Sequence, residues 1–236
     1  MELILYLEPA PTSPFRHHVD SFIQSTRVPP AVSTACKYHC HVSMTGFFHV
    51  PKDTLPFVIT TLDHLLKKDP TTMTTSNTLL TKHDPPYIHK DPVLVRNSTI
   101  IHNPATGEEQ TINQMPVHLL LSITVPPIYH EIVNELACRI KGIRAKAINH
   151  ISLAYWDEPG ESRDLQSVWN RRVLEDGMMD DMYRRACEEF GKSDFERAID
   201  WDIVLYQRTS KSTRAGVPHA FVEKKRWWAT DRSSPK

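Results

Sequence analysis

The stretch His41-Val42-Ser43-Met44 returns in the second half of the chain as His150-Ile151-Ser152-Leu153. Both copies read His, β-branched apolar, Ser, long apolar. Residues i and i+2 of a strand project to one face, so each copy delivers an imidazole and a hydroxyl to one surface while its apolar pair faces a core. Around the first copy, His39, His41, Ser43 and Thr45 fall on one side of a strand over 39–50, with Cys40, Val42, Met44 and Gly46 on the other. Around the second, His150, Ser152, Ala154 and Trp156 alternate with Ile151, Leu153 and Tyr155. One His-x-Ser is common by chance in a chain with 13 histidines. Matching faces, apolar partners and similar places in the two halves set this pair apart.

The flanking periodicity repeats in outline. An apolar strand over 3–7 stops at Pro9, and a helix over 14–26 aligns Phe15, Val19, Phe22 and Ile23. Leu55, Val58, Ile59, Leu62, Leu65 and Leu66 predict a second helix. The second half opens with a strand over 117–124. Pro126 and Pro127 then start a helix carrying Ile128, Ile132, Val133, Leu136 and Ile140, which Gly142 ends. After the second motif, Asp164 can cap a helix beginning at Leu165, and Gly177 breaks it. Met179, Met182, Tyr183, Ala186 and Phe190 form a further stripe, followed by strands over 201–207 and 220–228. Residues 69–115, rich in Thr, Pro, His and Asn, predict a long loop plus a hairpin. Its strands are 93–95, 98–102 and 110–112, with a turn at Asn103 to Gly107. The expected fold is α/β of the α+β kind: one bilobal domain over 1–236, with a first motif lobe at about 10–68, a second at about 117–200 and the insertion at about 69–115.

Composition narrows the function classes. Hydrophobic residues at 40% and charged residues at 24% of 236 exclude wholesale disorder and rod-like architectures. Lys+Arg of 28 balances Asp+Glu of 28, so any polyanion site must be local. Four cysteines do not make a disulfide scaffold, and the N-terminus has neither signal-peptide nor membrane-span character. The expectation is an intracellular, reducing compartment and no membrane partner. Seven glycines without a phosphate-binding loop or dinucleotide fingerprint argue against ATP and nucleotide cofactors.

Two imidazoles and two hydroxyls around one cleft suit phosphoryl chemistry. Cleaving a phosphodiester or cyclic phosphate requires one proton removed and another supplied, and imidazoles titrating near neutrality can do both. Hydroxyls can donate to the non-bridging oxygens as charge develops. These motifs resemble those of the 2H phosphoesterases, named for two His-x-Thr/Ser-x motifs on pseudo-symmetric lobes. Relatives include 2′-5′ RNA ligase-like proteins, cyclic nucleotide phosphodiesterases and an RNA 3′-end-trimming branch, whose second motif HISLAYW is similar to. The resemblance implies antiparallel sheets facing a central cleft with helices outside. It also implies a metal-independent phosphodiesterase, active on RNA ends, oligonucleotides or 2′,3′-cyclic phosphates, and a monomer without cofactor or metal. In that scheme His41 and His150 are acid and base, and Ser43 and Ser152 are phosphate donors. Which imidazole takes which role stays open, as does a second reading, a catalytically idle RNA- or nucleotide-binding module that keeps the cleft.

Further residues are candidates for substrate contact. Tyr6 lies on the opening strand, and Thr45 and Trp156 share faces with the motif histidines, Trp156 as a stacking plate; ordinary core packing is the alternative for each. Residues 201–236 hold eight Lys/Arg against three Asp/Glu, with Arg226 and Trp227 in Lys224-Lys225-Arg226-Trp227-Trp228. That segment could contact single-stranded nucleic acid, or be a solvated basic tail with buried tryptophans. Cys36, His39, Cys40 and His41 are close in sequence, but structural zinc sites bring two separated ligand pairs and no second pair accompanies them.

Overall fold

The computed structural model describes residues 1–28, 31–67, 85–102, 106–156, 177–191, 199–214 and 216–229. In chain order these hold β1 (Glu2–Pro9), α1 (Pro14–Ser25), β2 (Arg27–Val28), β3 (Ala31–Val32), β4 (Val42–Ser43), β5 (Phe48–His49) and α2 (Leu55–Lys67). Then come β6 (Tyr87–His102), β7 (Glu109–Thr124), α3 (Pro127–Arg139), β8 (His150–Tyr155), α4 (Met178–Phe190), β9 (Trp201–Ser210) and β10 (Ala220–Trp228). The fold is mixed α+β, with two antiparallel sheets, a small β2–β3 ribbon and four α-helices among the described residues. The helix expected from Leu165 and residues 69–84 of the expected loop lie outside the described residues. Among the described residues no helix is long and apolar enough to cross a membrane.

Strand β1 organises the larger sheet because it is apolar on both faces. Leu3, Leu5 and Leu7 enter the main core, while Ile4 and Tyr6 pack with Val204 and Tyr206 on the other face. Each of these leucines stabilises the fold by roughly 1.5–3 kcal/mol on full burial. A strand buried on both faces needs both edges paired. β9 runs antiparallel along its whole length, Glu2 opposite Arg208 through Pro9 opposite Trp201. On the other edge β4 and β5 pair with it, Tyr6 opposite Ser43 and Leu3 opposite Phe48. The order is β10-β9-β1-β4, which makes β4 an edge strand. The last two strands of the chain thus complete the first sheet.

The strand expected over 39–50 is broken into β4 and β5. Its backbone donors are diverted: Cys40 N–H goes to the Asp20 carboxylate at 2.6 Å, and Gly46 N–H to the Arg144 carbonyl at 2.9 Å.

The smaller sheet has the order β6-β7-β8, with β8 at its edge. Three short strands were expected in the 69–115 region; instead β6 and β7 are 16 residues each. β7 runs through the expected boundary between insertion and second lobe. Register shifts lie between Ile88 and Pro92, Val95 and Arg96, and Asn97 and Thr99. Pro92 cannot donate to a ladder, and each shift resets the polar/apolar alternation, so one long strand reads as several. Gln114 takes a left-handed φ of 61° at one such irregularity.

Candidate active site

The two motif strands are edge strands of different sheets, and they meet. β4 lies against β8, and 144–146 bridges the sheets: Thr45 pairs with Ala145, Lys146 N–H donates to the Met44 carbonyl at 3.0 Å, and Gly46 N–H reaches Arg144. A cavity of about 250 Å³ opens at this junction. Ile4 and Tyr6 line it from β1, Tyr38, His39, His41, Ser43 and Thr45 from the first motif, and Arg144, Lys146, Ser152 and Tyr155 from the second half.

His41 is fixed from two sides. Its Nδ1–H donates to the His39 carbonyl at 2.6 Å, which leaves Nε2 as the nitrogen able to take a proton. The Tyr6 ring lies against its imidazole with centroids 3.9 Å apart. The His39 ring donates Nε2–H to Glu8 at 2.6 Å, so the residue whose carbonyl orients His41 is itself anchored. Burial, reinforced by the charge of His39 and by that of His150, outweighs the backbone hydrogen bond and Glu8 and lowers the His41 pKa to about 3.

Glu8 is fully buried, with Arg16, His39, Tyr206 and Arg226 around it at 3.3, 2.6, 3.0 and 2.9 Å. Burial pushes its carboxyl up, but the His39 hydrogen bond and charge, with Arg16 and Arg226, prevail and hold it at about 2.

His150 has the same arrangement. Its Nδ1–H donates to Asn149 Oδ1 at 2.8 Å, again leaving Nε2 for chemistry. It is not among the residues lining the cavity, but Ser152 beside it is, and its charge is felt at His41. Burial and then the Lys146 ammonium lower its pKa. Ser152 Oγ is 2.9 Å from His118 Nε2 on β7, and the His118 ring stands edge-on to His150, centroids 5.4 Å apart. Burial, then the His150 charge, lowers the His118 pKa to about 4.

Several expected contacts move. Trp156 is not a stacking plate in the cavity. Leu120 opposes Ser152 and Leu119 opposes Ala154, so Leu153 is an extra residue in β8. A bulge reverses the faces beyond it. Ala154 and Trp156 therefore enter the core, and Tyr155 joins Ser152 at the cavity. Thr45 lines the cavity but is fully buried and accepts Leu5 N–H at 3.1 Å, a backbone duty. Arg226 and Trp227 are not among the lining residues: Arg226 is held by Asp202, Glu8 and Glu223, and Trp227 is buried with its N–H on Asp63 at 2.8 Å. The Cys36-to-His41 cluster disperses, since Cys36 donates to the Ile23 carbonyl and His39 to Glu8. Among the described residues no three His, Cys, Asp or Glu side chains are grouped for a metal ion.

Arg144, Lys146, His118 and Tyr155 escaped the reading of the sequence. Arg144-Ala145-Lys146 has the period-two spacing that places both cations on one side of an extended segment, and His118 is a lone polar residue amid the apolar run 117–121. Both signals were legible, but nothing local says that they meet the motifs.

The lining thus combines hydroxyls, imidazoles and two fixed cations, with no Asp or Glu among its described residues. That chemistry suits an anion whose oxygens accept hydrogen bonds and exchange protons. No protein-family model matches the chain, and no curated protein matches it either.

Proposed function

We propose that the chain is a two-histidine phosphodiesterase of the 2H phosphoesterase kind, its two lobes each offering one His-x-Ser edge strand to a shared cleft. The observation that carries this reading is the paired orientation of the imidazoles: His41 and His150 each commit Nδ1–H to a carbonyl oxygen and keep Nε2 available. Neutral His41 is suited to be the base that takes a proton from the incoming oxygen. His150, charged once an anion sits beside it, is suited to be the acid that protonates the leaving oxygen. Ser43 and Ser152 donate to the non-bridging oxygens, and Arg144 and Lys146 hold the substrate's negative charge. The substrate classes are RNA ends, oligonucleotides and 2′,3′-cyclic phosphates.

The test is turnover of a 2′,3′-cyclic nucleotide and of a short 3′-hydroxyl oligonucleotide in the presence of EDTA. Turnover of either, lost in His41→Ala and in His150→Ala, supports the proposal. Binding without turnover by the unmodified protein overturns it in favour of an idle nucleotide-binding module. Activity abolished by EDTA and restored by zinc or manganese rejects the two-histidine mechanism.

A further inference from the structure

A phosphodiester carries a single negative charge, yet the cavity offers two permanent cations besides its imidazoles. Arg144 and Lys146 both line it, and neither forms an ion pair among the described residues. The described lining holds no carboxylate to neutralise them. Their placement is rigid because the backbone between them is clamped to the first motif by the Thr45–Ala145 bridge and the two hydrogen bonds flanking it. Residues two apart on an extended segment share a face and lie roughly 6.6 Å apart along it. That step is comparable to the separation of successive phosphates in an extended single strand.

The two cations are not equivalent. Lys146 acts electrostatically on His150, which puts it on the side of the reacting phosphate. The Arg144 guanidinium lies over Gly46, where a Cβ would meet it at 3.3 Å. Gly46 therefore leaves room for the guanidinium to lie flat against the backbone.

We infer that Arg144 forms a second anion subsite, one backbone step from the reacting phosphate, which takes an additional phosphate group of the substrate. The inference rests on the proposed phosphodiesterase reading and deepens it: the preferred substrate carries two adjacent phosphates, as at an oligonucleotide end or in a 5′-phosphorylated 2′,3′-cyclic nucleotide. A planar guanidinium can engage a phosphate with two parallel N–H groups. The subsite is separate from the basic segment at 224–226, where Lys225 and Arg226 are already paired with Asp63 and with Asp202, Glu8 and Glu223.

The experiment compares 2′,3′-cyclic nucleotides of one base with and without a 5′-phosphate, in the unmodified protein and in Arg144→Gln. In the unmodified protein the 5′-phosphate is expected to raise kcat/KM, mainly through KM, by roughly tenfold or more, the effect of one charge-assisted hydrogen bond. In Arg144→Gln that ratio is expected to fall toward one. Dissociation constants for the same two ligands, measured by calorimetry, separate the inference from the reading on which it rests. If neither ligand is turned over, the phosphodiesterase reading fails, and the affinity ratio still decides the subsite. Equal affinities in the unmodified protein overturn the inference. A preference that persists undiminished in Arg144→Gln also overturns it, because the extra phosphate is then held elsewhere.

Discussion

His118 Nε2 on β7 lies 2.9 Å from Ser152 Oγ on β8, and its ring stands edge-on to His150. The imidazole therefore orients the hydroxyl of the second motif while packing against that motif's histidine. When Ser152 donates to a phosphate oxygen, a neutral His118 with its proton on Nε2 can donate to Ser152 Oγ. The substitution His118→Phe keeps the ring and removes the hydrogen bond. It should lower kcat roughly tenfold in the unmodified background, about 1.4 kcal/mol. It should have little further effect in Ser152→Ala, because a residue acting through Ser152 has nothing left to orient. Additive losses in the double variant would show that His118 acts independently of Ser152.

Removal of either motif imidazole should be more severe. His41→Ala and His150→Ala are each expected to lower kcat by at least ~10²-fold, the scale of one general acid or base. Ser43→Ala and Ser152→Ala should have smaller effects. Steady-state kinetics on variants whose circular dichroism matches the unmodified protein is the check, and near-normal turnover in either His variant rules out its role.

The pH profile follows from the direction of the shifts. His41 is held neutral down to about 3, and the His150 pKa is lowered from 6.5. A mechanism with His41 as base and His150 as acid needs the first neutral and the second protonated in the free protein. kcat/KM should accordingly be declining already below pH 6.5 and stay low through neutrality, because the lowered His150 pKa places the loss of its proton below 6.5. An optimum on the alkaline side, with no decline through neutrality, would contradict this assignment of roles.

Stability should fall toward acid in two stages. His41 and His118 titrate near 6.5 when unfolded but at about 3 and about 4 when folded. Below 6.5 the unfolded chain therefore binds more protons, and stability decreases as pH drops through that window. Glu8 adds a second loss between 4.5 and about 2, since its folded pKa is depressed. Denaturant midpoints measured from pH 7 down to 4 should decrease steadily, and His41→Phe should flatten that slope. An unchanged slope in the variant would remove His41 as its source.

Glu8→Gln leaves Arg16, Arg226 and His39 without their shared carboxylate. Breaking one partner out of a buried charged group costs ~3–5 kcal/mol, so the unfolding free energy from denaturant titration should fall by that much. Arg226→Met should likewise be read in stability, because its guanidinium is engaged by Asp202, Glu8 and Glu223. A stable Arg226→Met protein with selectively weakened oligonucleotide binding would return the basic segment to a substrate role.

The sequence alone determined the features that depend on neighbours along the chain. The stripes of α1, α2, α3 and α4, the bounds of β10 and a strand at the second His-x-Ser motif follow from period 3.6 or period 2, because burial of one face imposes that spacing wherever an element is regular; the first motif's strand, expected over 39–50, is cut to β4 and β5. Tyr6, His41, Ser43 and Ser152, which line the cavity, could be named as candidates from their places on the strands. Tertiary structure decided whatever depends on partners far away or on a break in the period. The Leu153 bulge, invisible to alternation, exchanged Trp156 for Tyr155. Register shifts around Pro92 and Asn97 disguised β6 and β7 as short fragments. Arg226 and Trp227 looked like a nucleic-acid contact until folding placed Asp202, Glu8 and Asp63 against them. The junction beside β4 and β8, which brings Arg144 and Lys146 to the motifs, arises from the Thr45–Ala145 bridge and the two backbone hydrogen bonds flanking it. No local pattern encodes such pairing, because its hydrogen bonds join backbone groups whose chemistry is the same at every residue.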